Sequence, residues 1–198
     1  MKTVIGIDEV GRGPVAGPVA VGAFLIIDPD FHLSVREFPL PLRDSKQLSR
    51  TQREAWFKKI VDWQEEGKCD FFVSMISAGE IDSHGLSRAI KKALAESLEM
   101  LEPDDECLIL LDGSLHAPRT FKNQITIIKG DEKEPVISLA SIVAKVTRDR
   151  HMLTLAKRYP KYGFERHMGY GTEEHYAAIK KYGLCPIHRK SFLKRVAS

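Results

Sequence analysis

Residues 1–23 read MKTVIGIDEVGRGPVAGPVAVGA, and the fold is interpreted outward from this stretch. Two apolar runs, Val4–Ile7 and Val19–Ile27, are rich in β-branched residues and bounded by Gly and Pro, which predicts two strands. The residues between them cannot be regular, because the glycines permit positive φ and the prolines lack an amide donor. We call residues 11–18 the glycine loop.

Two adjacent acids, Asp8 and Glu9, follow the first predicted strand, and we expect them to lie in the loop. Two carboxylates at the end of a buried strand cost stability unless a cation such as a divalent metal compensates. Successive strand side chains point to opposite faces, so the acids share a site only if the chain bends at Glu9 or Glu9 lends its backbone carbonyl. The alternative is a polar turn in which Arg12 pairs with Glu9 at the surface.

The glycine spacing excludes two common nucleotide sites. Gly11, Gly13 and Gly17 miss the G-x-G-x-x-G pattern by one residue, and no G-x-x-x-x-G-K-[ST] occurs in the chain. A dinucleotide-binding fold and a P-loop fold are therefore not expected.

Length and composition favour one domain over residues 1–198, because 198 residues that are 43% apolar suffice for a single core. No run is apolar enough to cross a membrane, and acids stand where a signal peptide needs an apolar stretch. We expect a soluble, cytoplasmic protein. Three cysteines without C-x-x-C spacing are interpreted as packing residues.

Charge is distributed unevenly along the chain. Residues 143–198 hold 13 Lys and Arg against 4 Asp and Glu, a net charge of +9, whereas the rest holds 17 against 23. A basic third of a chain favours an anionic partner, most often nucleic acid, although it can also be a solvated surface. The basic C-terminal portion covers about residues 160–198.

A further acid is predicted at the end of a second strand. Leu108–Leu111 is four aliphatic residues running into Asp112 and Gly113, which is typical of a strand covered on both faces. Functional groups of open α/β sheets gather at the carboxyl ends of the strands. The alternative is an ordinary Asp-Gly turn.

A long helix is predicted over residues 135–159, starting with Pro. Its first half is mostly apolar, and four polar residues of the helix share one stripe about 80° wide: Ser138, Ser141, Lys145 and, further on, Asp149. Polar groups aligned on a buried helix need a shared partner, which favours a site. The alternative is a surface pair between Lys145 and Asp149.

Tyr170 lies between two glycines in the segment HMGYGT, which leaves its ring free to stack on a sugar or a base. The alternative is a loop anchor. Thr172 is expected to cap a helix that ends at Gly183. We interpret the histidines of this region as structural or phosphate contacts.

Six segments then point to one family. They are IDEVGRGPVAGPV, DSKQLS, LLDG, KGD, SLASIVAKVTRD and HMGYGT, and their order and spacing resemble bacterial ribonuclease HII over nearly the whole chain. The resemblance implies the ribonuclease H-like α/β fold. This is a five-stranded mixed sheet in which the strands bearing Asp8 and Asp112 are neighbours, flanked by helices, with a small C-terminal helical portion.

The resemblance also implies site residues. The family's catalytic, metal-binding carboxylates fall on Asp8, Glu9, Asp112 and Asp149. The loop that reads the 2′-hydroxyl of the ribonucleotide through backbone groups falls on Gly11, Arg12 and Gly13. The tyrosine that packs on the deoxyribose after the cleaved junction falls on Tyr170, and further substrate contacts fall on Lys46, Ser141 and Lys145.

Two details refine the resemblance. Met168 stands where the family usually has lysine, so a phosphate contact is expected to be missing while catalysis is unaffected. The chain begins directly at the strand that bears Asp8, without the extra N-terminal domain of ribonuclease HIII, which favours the HII family over that sister family.

The implied activity is metal-dependent hydrolysis of the RNA strand in RNA–DNA hybrids, and cutting 5′ to single ribonucleotides in duplex DNA. Four acids suit two ions, Mn²⁺ or Mg²⁺, about 4 Å apart. The expected partners are these nucleic acids, with a monomeric protein; a sliding-clamp contact is not assigned to any residue. The rival functions are a duplex-binding protein without activity and a DNA nuclease or resolvase.

Overall fold

A computed structural model describes residues 3–28, 30, 31, 35, 42, 45 and 47–193. The strands within these residues are β1 Val4–Val10, β2 Val19–Ile26, β3 Cys69–Ile76, β4 Leu108–Asp112 and β5 Gln124–Ile127. The helices are α1 Arg50–Glu65, α2 Ala78–His84, α3 Leu86–Leu101, α4 Gly130–Lys133, α5 Pro135–Arg158, α6 Phe164–His167 and α7 Glu173–Tyr182, with 3₁₀ turns at Pro160–Tyr162 and Lys190–Phe192.

The strands form one five-stranded sheet in the order β3-β2-β1-β4-β5. Strand β1 is antiparallel to β2 and parallel to β4, β2 is antiparallel to β3, and β4 is parallel to β5. The sheet is therefore mixed, and the strands bearing Asp8 and Asp112 are neighbours. Both features confirm the expected fold class.

Strand β1 extends further than the sequence predicted. It runs to Val10, and Asp8 and Glu9 pair with Gly22 and Val21 of β2. The prediction that the two acids enter the loop is wrong, because ladder pairing with the longer β2 continues past the apolar run. The glycine loop starts only after Val10.

The two faces of the sheet are covered by different helices. Ile5 and Ile7 belong to a buried cluster that includes Leu94 of α3. Gly6 lies on the other face, directly against the backbone of Val136 in α5. The alternation along β1 therefore directs Asp8, two residues after Gly6, toward α5.

The close approach of α5 to the sheet gives a stability prediction for Gly22. A Cβ at Gly22 would lie 2.6 Å from the carbonyl oxygen of Ala140. We expect Gly22→Ala to lower the free energy of unfolding by about 1–3 kcal/mol, because backbone cannot yield as a flexible side chain does. Urea denaturation measures the change. The matched control is Gly79→Ala, whose Cβ would meet nothing closer than 3.9 Å.

Equal stability of the Gly22→Ala and Gly79→Ala variants would contradict this packing. The control should match the wild type or exceed it, because alanine is the better helix former and Gly79 lies within α2.

Several predicted boundaries are confirmed. Ser49 caps α1 in a capping box with Gln52, and the helical stretch after β3 is interrupted at Gly85. Thr172 caps α7, whose C-cap is Gly183. Among the described residues, no helix is long and apolar enough to span a bilayer.

The C-terminal helical portion packs around its own apolar cluster. Tyr162, Phe164 and Cys185 contact Met152 and Ala156 near the end of α5. The chain after α5 is thus fixed to the last turns of that helix. All three cysteines are buried, as their interpretation as packing residues requires.

Candidate active site

Asp8 and Asp112 lie at equivalent positions of neighbouring parallel strands. Ile7 pairs with Leu111, and each acid is the next residue along its strand. Adjacent strands are about 4.8 Å apart, so the register brings the two acids side by side at the carboxyl ends of β1 and β4. This convergence was predicted from the sequence.

Asp8 is almost completely buried, with 3% of its surface exposed. The pKa of Asp8 is raised to about 8, chiefly by burial, with the negative charges of Glu9 and Asp112 contributing and a hydrogen bond with Ser141 opposing. Ser141 Oγ also lies 2.7 Å from Ser45 Oγ. If Ser141 donates to Asp8, Ser45 donates to Ser141, so α5 orients the Asp8 carboxyl.

Glu9 is held by the glycine loop. Its Oε1 accepts a hydrogen bond from Arg12 Nη1 at 2.8 Å, and its Oε2 is buried without a partner among the described residues. Burial raises the pKa of Glu9, the Arg12 guanidinium opposes this, and the charge of Asp112 adds to it. The surface pair considered from the sequence exists, yet only Arg12 is largely exposed.

Asp112 is fixed by the segment that follows β5. Its Oδ1 accepts a hydrogen bond from Gly130 N at 2.6 Å, and Asp131 N lies 3.4 Å from the same oxygen. Asp131 is itself only 4% exposed. The structure therefore places the backbone of a further acid next to Asp112, and the sequence interpretation did not select this acid.

Asp149 forms an ion pair within α5. Its Oδ1 accepts from Lys145 Nζ at 2.8 Å, and the two side chains are 13% and 17% exposed. Ser141, the α5 residue that contacts Asp8, is eight residues earlier, which is about 12 Å along the helix axis. The pair that was the alternative interpretation of the stripe is thus present, although partly buried.

The described residues contain no group of three or more His, Cys, Asp or Glu side chains that could hold a metal ion as they stand. The acids nevertheless fit a divalent cation by chemistry. Three carboxyl groups supply the oxygen ligands that such ions prefer. The orphaned Glu9 Oε2 and the raised pKa of Asp8 are both costs that a nearby cation removes.

The glycine loop and Tyr170 lie together, as expected for one recognition site. A Cβ at Gly13 would be 3.7 Å from Tyr170 Cε1, and 42% of the Tyr170 surface is exposed. The backbone of the loop is joined to the same region, since Val15 N donates to Gly169 O at 2.9 Å. Tyr170 therefore presents an accessible ring beside the loop.

The remaining predicted contacts have different outcomes. Lys46 lies outside the described residues. Ser141 and Lys145 share one face of α5, where Ser141 contacts Asp8. Met168 is partly buried against the C-terminal apolar cluster, so this position offers no cation for a phosphate.

Buried histidines hold Tyr170 in place. Cys185 N donates to His188 Nδ1 at 2.9 Å, so the proton of His188 is on Nε2, which lies 3.1 Å from His175 Nε2. His175 must then be protonated on Nδ1, which donates to Tyr170 O at 2.8 Å. This chain of hydrogen bonds requires both rings to be neutral.

Acid should weaken the fold through His175. Burial lowers the pKa of His175 to about 4, and an opposing hydrogen bond to Tyr170 O only limits the decrease. Because the pKa of His175 in the folded protein is below the ordinary value of 6.5, the neutral ring contributes its full stabilisation above about pH 6.5. That contribution is lost as the pH falls to 4, and it amounts to about 3 kcal/mol.

The measurement is urea denaturation between pH 7 and pH 4. His175→Asn, which keeps a donor for Tyr170 O but does not titrate, should lose less stability over this interval. Parallel stability curves for the wild type and this variant would contradict the assignment.

Two buried arginines were missed by the sequence interpretation. Arg148 and Arg189 are both 0% exposed, and their guanidinium groups donate to backbone carbonyls of the glycine loop. The charge distribution of the sequence had placed both arginines on a basic surface. Only Arg189 stands in a sequence context that could have indicated burial. It follows His188 in a short segment that contains Cys and Pro and has no helical periodicity.

The sequence of this chain matches one known protein family. The family model for ribonuclease HII matches residues 5–195. The chain belongs to the ribonuclease HII family. Ribonuclease HII of Geobacillus thermodenitrificans is 45% identical over 192 residues, which cover 97% of this chain and 69% of that protein. Ribonuclease HII of Polynucleobacter asymbioticus is 44% identical over 196 residues, covering 97% of this chain and 93% of that protein.

A solved structure agrees with the family assignment. The crystal structure of ribonuclease H2 from Pyrococcus horikoshii OT3 has a TM-score of 0.77 to this chain at 29% identity, covering 98% of this chain and 96% of that one. The ribonuclease H-like fold is confirmed. The chain is an endonuclease of ribonuclease H type 2, and its family supports endoribonuclease activity on RNA–DNA hybrids.

Proposed function

We propose that this chain hydrolyses the RNA strand of RNA–DNA hybrids and cuts 5′ to single ribonucleotides in duplex DNA, leaving 3′-hydroxyl and 5′-phosphate ends. The observation that carries the proposal is the register of β1 and β4, which aligns Asp8 with Asp112 at the end of the sheet. Acids and a loop suited to ribose recognition follow each other directly along the chain.

Metal binding is part of this proposal. Asp8, Glu9 and Asp112 would hold Mn²⁺ or Mg²⁺ through carboxylate oxygens. When bound, two such ions supply an activated water and charge stabilisation at the leaving 3′-oxygen. The protein orients the ligands, because Ser141 contacts Asp8 and the backbone of Gly130 donates to Asp112.

A buried acid beside Asp112 is proposed as the fourth ligand. We favour Asp131, which is buried and follows the residue that donates to Asp112. Asp149, the acid implied by the resemblance, keeps the role of partner to Lys145. The two assignments predict opposite orders of effect for Asp131→Asn and Asp149→Asn on kcat.

Ribose recognition is proposed for the glycine loop. The exposed Gly13 lets the substrate approach the backbone closely, whereas the buried Gly11 leaves room for the Arg148 side chain. Backbone groups can bond a 2′-hydroxyl. Tyr170 would pack on the following deoxyribose. Exposed Lys and Arg side chains of the C-terminal portion would hold duplex phosphates, with Lys46, Ser141 and Lys145 nearer the cleaved strand. Monomeric state and cytoplasmic location stay predictions.

The deciding experiment is digestion of a DNA duplex that contains one ribonucleotide, with Mn²⁺ or Mg²⁺ and with end-group analysis of the products. We expect one cut on the 5′ side of the ribonucleotide, a 3′-hydroxyl and a 5′-phosphate, and no cut in the all-DNA duplex. Omission of the metal should prevent the reaction.

Each rival function has its own outcome in this assay. An intact hybrid in the presence of Mn²⁺, together with retained binding, would indicate a duplex-binding protein. Cleavage of an all-DNA duplex or junction would indicate a DNA nuclease or resolvase. Products with 2′- or 3′-phosphate ends would contradict hydrolysis by the proposed route.

A further inference from the structure

The Arg189 side chain connects the C-terminal segment to the glycine loop. Its Nε donates to Gly17 O at 2.9 Å, its Nη1 to Arg12 O at 3.0 Å and its Nη2 to Gly11 O at 2.7 Å. One guanidinium therefore binds three carbonyls of a loop that lies more than 170 residues earlier in the chain.

This arrangement requires arginine. A guanidinium has five donors in a fixed plane, whereas a lysine ammonium is a single point that cannot reach three separated carbonyls. Arg189 is fully buried, and burial lowers its pKa to about 9. Burying a cation whose described hydrogen bonds go to neutral carbonyls costs free energy. We infer that the fixed geometry of the loop compensates for this cost through function.

The direction of these carbonyls determines what the loop presents to a ligand. In a trans peptide the C=O and the following N–H point in opposite directions, and no described peptide bond is cis. Because Arg189 draws the carbonyls of Gly11 and Arg12 inward, the N–H groups of Arg12 and Gly13 point outward. Arg12 and Gly13 are both exposed.

Neighbouring contacts hold Arg189 itself. Its backbone N donates to Val15 O at 2.8 Å. The next residue is fixed by Asp82 of α2, whose Oδ2 accepts from Lys190 N at 2.8 Å. Arg148 completes the support from α5, donating to Pro18 O at 2.8 Å and to Met168 O at 3.2 Å.

We propose that Arg189 is a positioning residue for ribose recognition, fixing the glycine loop so that the amides of Arg12 and Gly13 are preformed donors for the 2′-hydroxyl. The inference rests on the proposed function. Arg189 does not touch the substrate, and its effect passes through the loop backbone. Loss of Arg189 should therefore impair the chemical step more than substrate affinity.

The test compares Arg189→Ala and Arg189→Lys with the wild type on a duplex containing one ribonucleotide. We expect kcat to fall about 10- to 100-fold in both variants, as for a misplacement of about 1 Å, while KM changes less than about threefold. Methylguanidinium added to the solution should restore kcat in Arg189→Ala but not in Arg189→Lys, where the site is filled. Arg88→Ala, which removes an exposed arginine of α3, should match the wild type.

The outcomes distinguish failure of the Arg189 positioning role from failure of the proposed nuclease function. No cleavage by the wild type would reject the proposed function itself. A cleaving wild type with unchanged kcat in a folded Arg189 variant would overturn only the positioning role. Circular dichroism monitors folding, and a kcat that merely follows the folded fraction, or loss of folding in both variants, would also overturn it by indicating a purely structural residue.

Discussion

Asp8→Asn should abolish cleavage of a ribonucleotide-containing duplex, with kcat reduced about 1,000-fold or more in Mg²⁺ or Mn²⁺. Asparagine has almost the same shape as aspartate but no negative charge, so it removes an anionic oxygen from the point where β1 and β4 end together. Affinity for the hybrid should change little, because the proposed phosphate contacts lie elsewhere. Single-turnover rates and equilibrium binding measure the two effects.

Stability distinguishes lost chemistry from lost folding in Asp8→Asn. Burial raises the pKa of Asp8, which means that its charged form is held at a cost in the folded protein. The variant should therefore unfold at the same temperature as the wild type or higher. Asp105→Asn, in an exposed position of the loop before β4, is the matched control and should keep the wild-type rate. A wild-type rate in Asp8→Asn would reject the metal-site assignment.

Asp131→Asn should reduce kcat about 100-fold and raise the metal concentration needed for half-maximal rate. Asp131 is buried beside the segment that fixes Asp112. Asp149→Asn should reduce kcat less than about tenfold, because it only releases Lys145 from its partner. Metal titrations of the two variants under identical conditions make the comparison.

The reverse order of effects would return the fourth position to Asp149. Equal, small effects would indicate that three carboxylates suffice.

Much of the site could be predicted because its acids follow apolar runs. Val4–Ile7 and Leu108–Leu111 are short, continuous and β-branched or aliphatic, and such runs indicate strands covered on both faces. Acids at the ends of two such strands meet when the strands are neighbours, which the sheet order confirms.

The extent of β1 could not be predicted from composition. Asp8 and Glu9 are poor strand formers, and a pattern of apolar residues ends before them. They stay in the strand because Gly22 and Val21 of the longer β2 pair with them. Pairing partners outside the local sequence decided the boundary.

Buried arginines escape sequence interpretation for a related reason. Arginine is usually exposed, so Arg148 and Arg189 were counted with a basic surface. Their burial depends on carbonyls of the glycine loop, which are distant in sequence and carry no residue-specific signal. Asp131 was missed because three residues separate it from the end of β5, whereas Asp112 is the last residue of its own strand.

The contacts of Arg189 have a consequence for biosynthesis. Residues 11 and 12 are synthesised some 177 residues before the guanidinium that binds their carbonyls. Contacts so distant along the chain form late in folding. The glycine loop of a polypeptide still being translated therefore lacks this support, and the proposed discrimination of ribose from deoxyribose is expected only after Arg189 has been synthesised and has joined the loop.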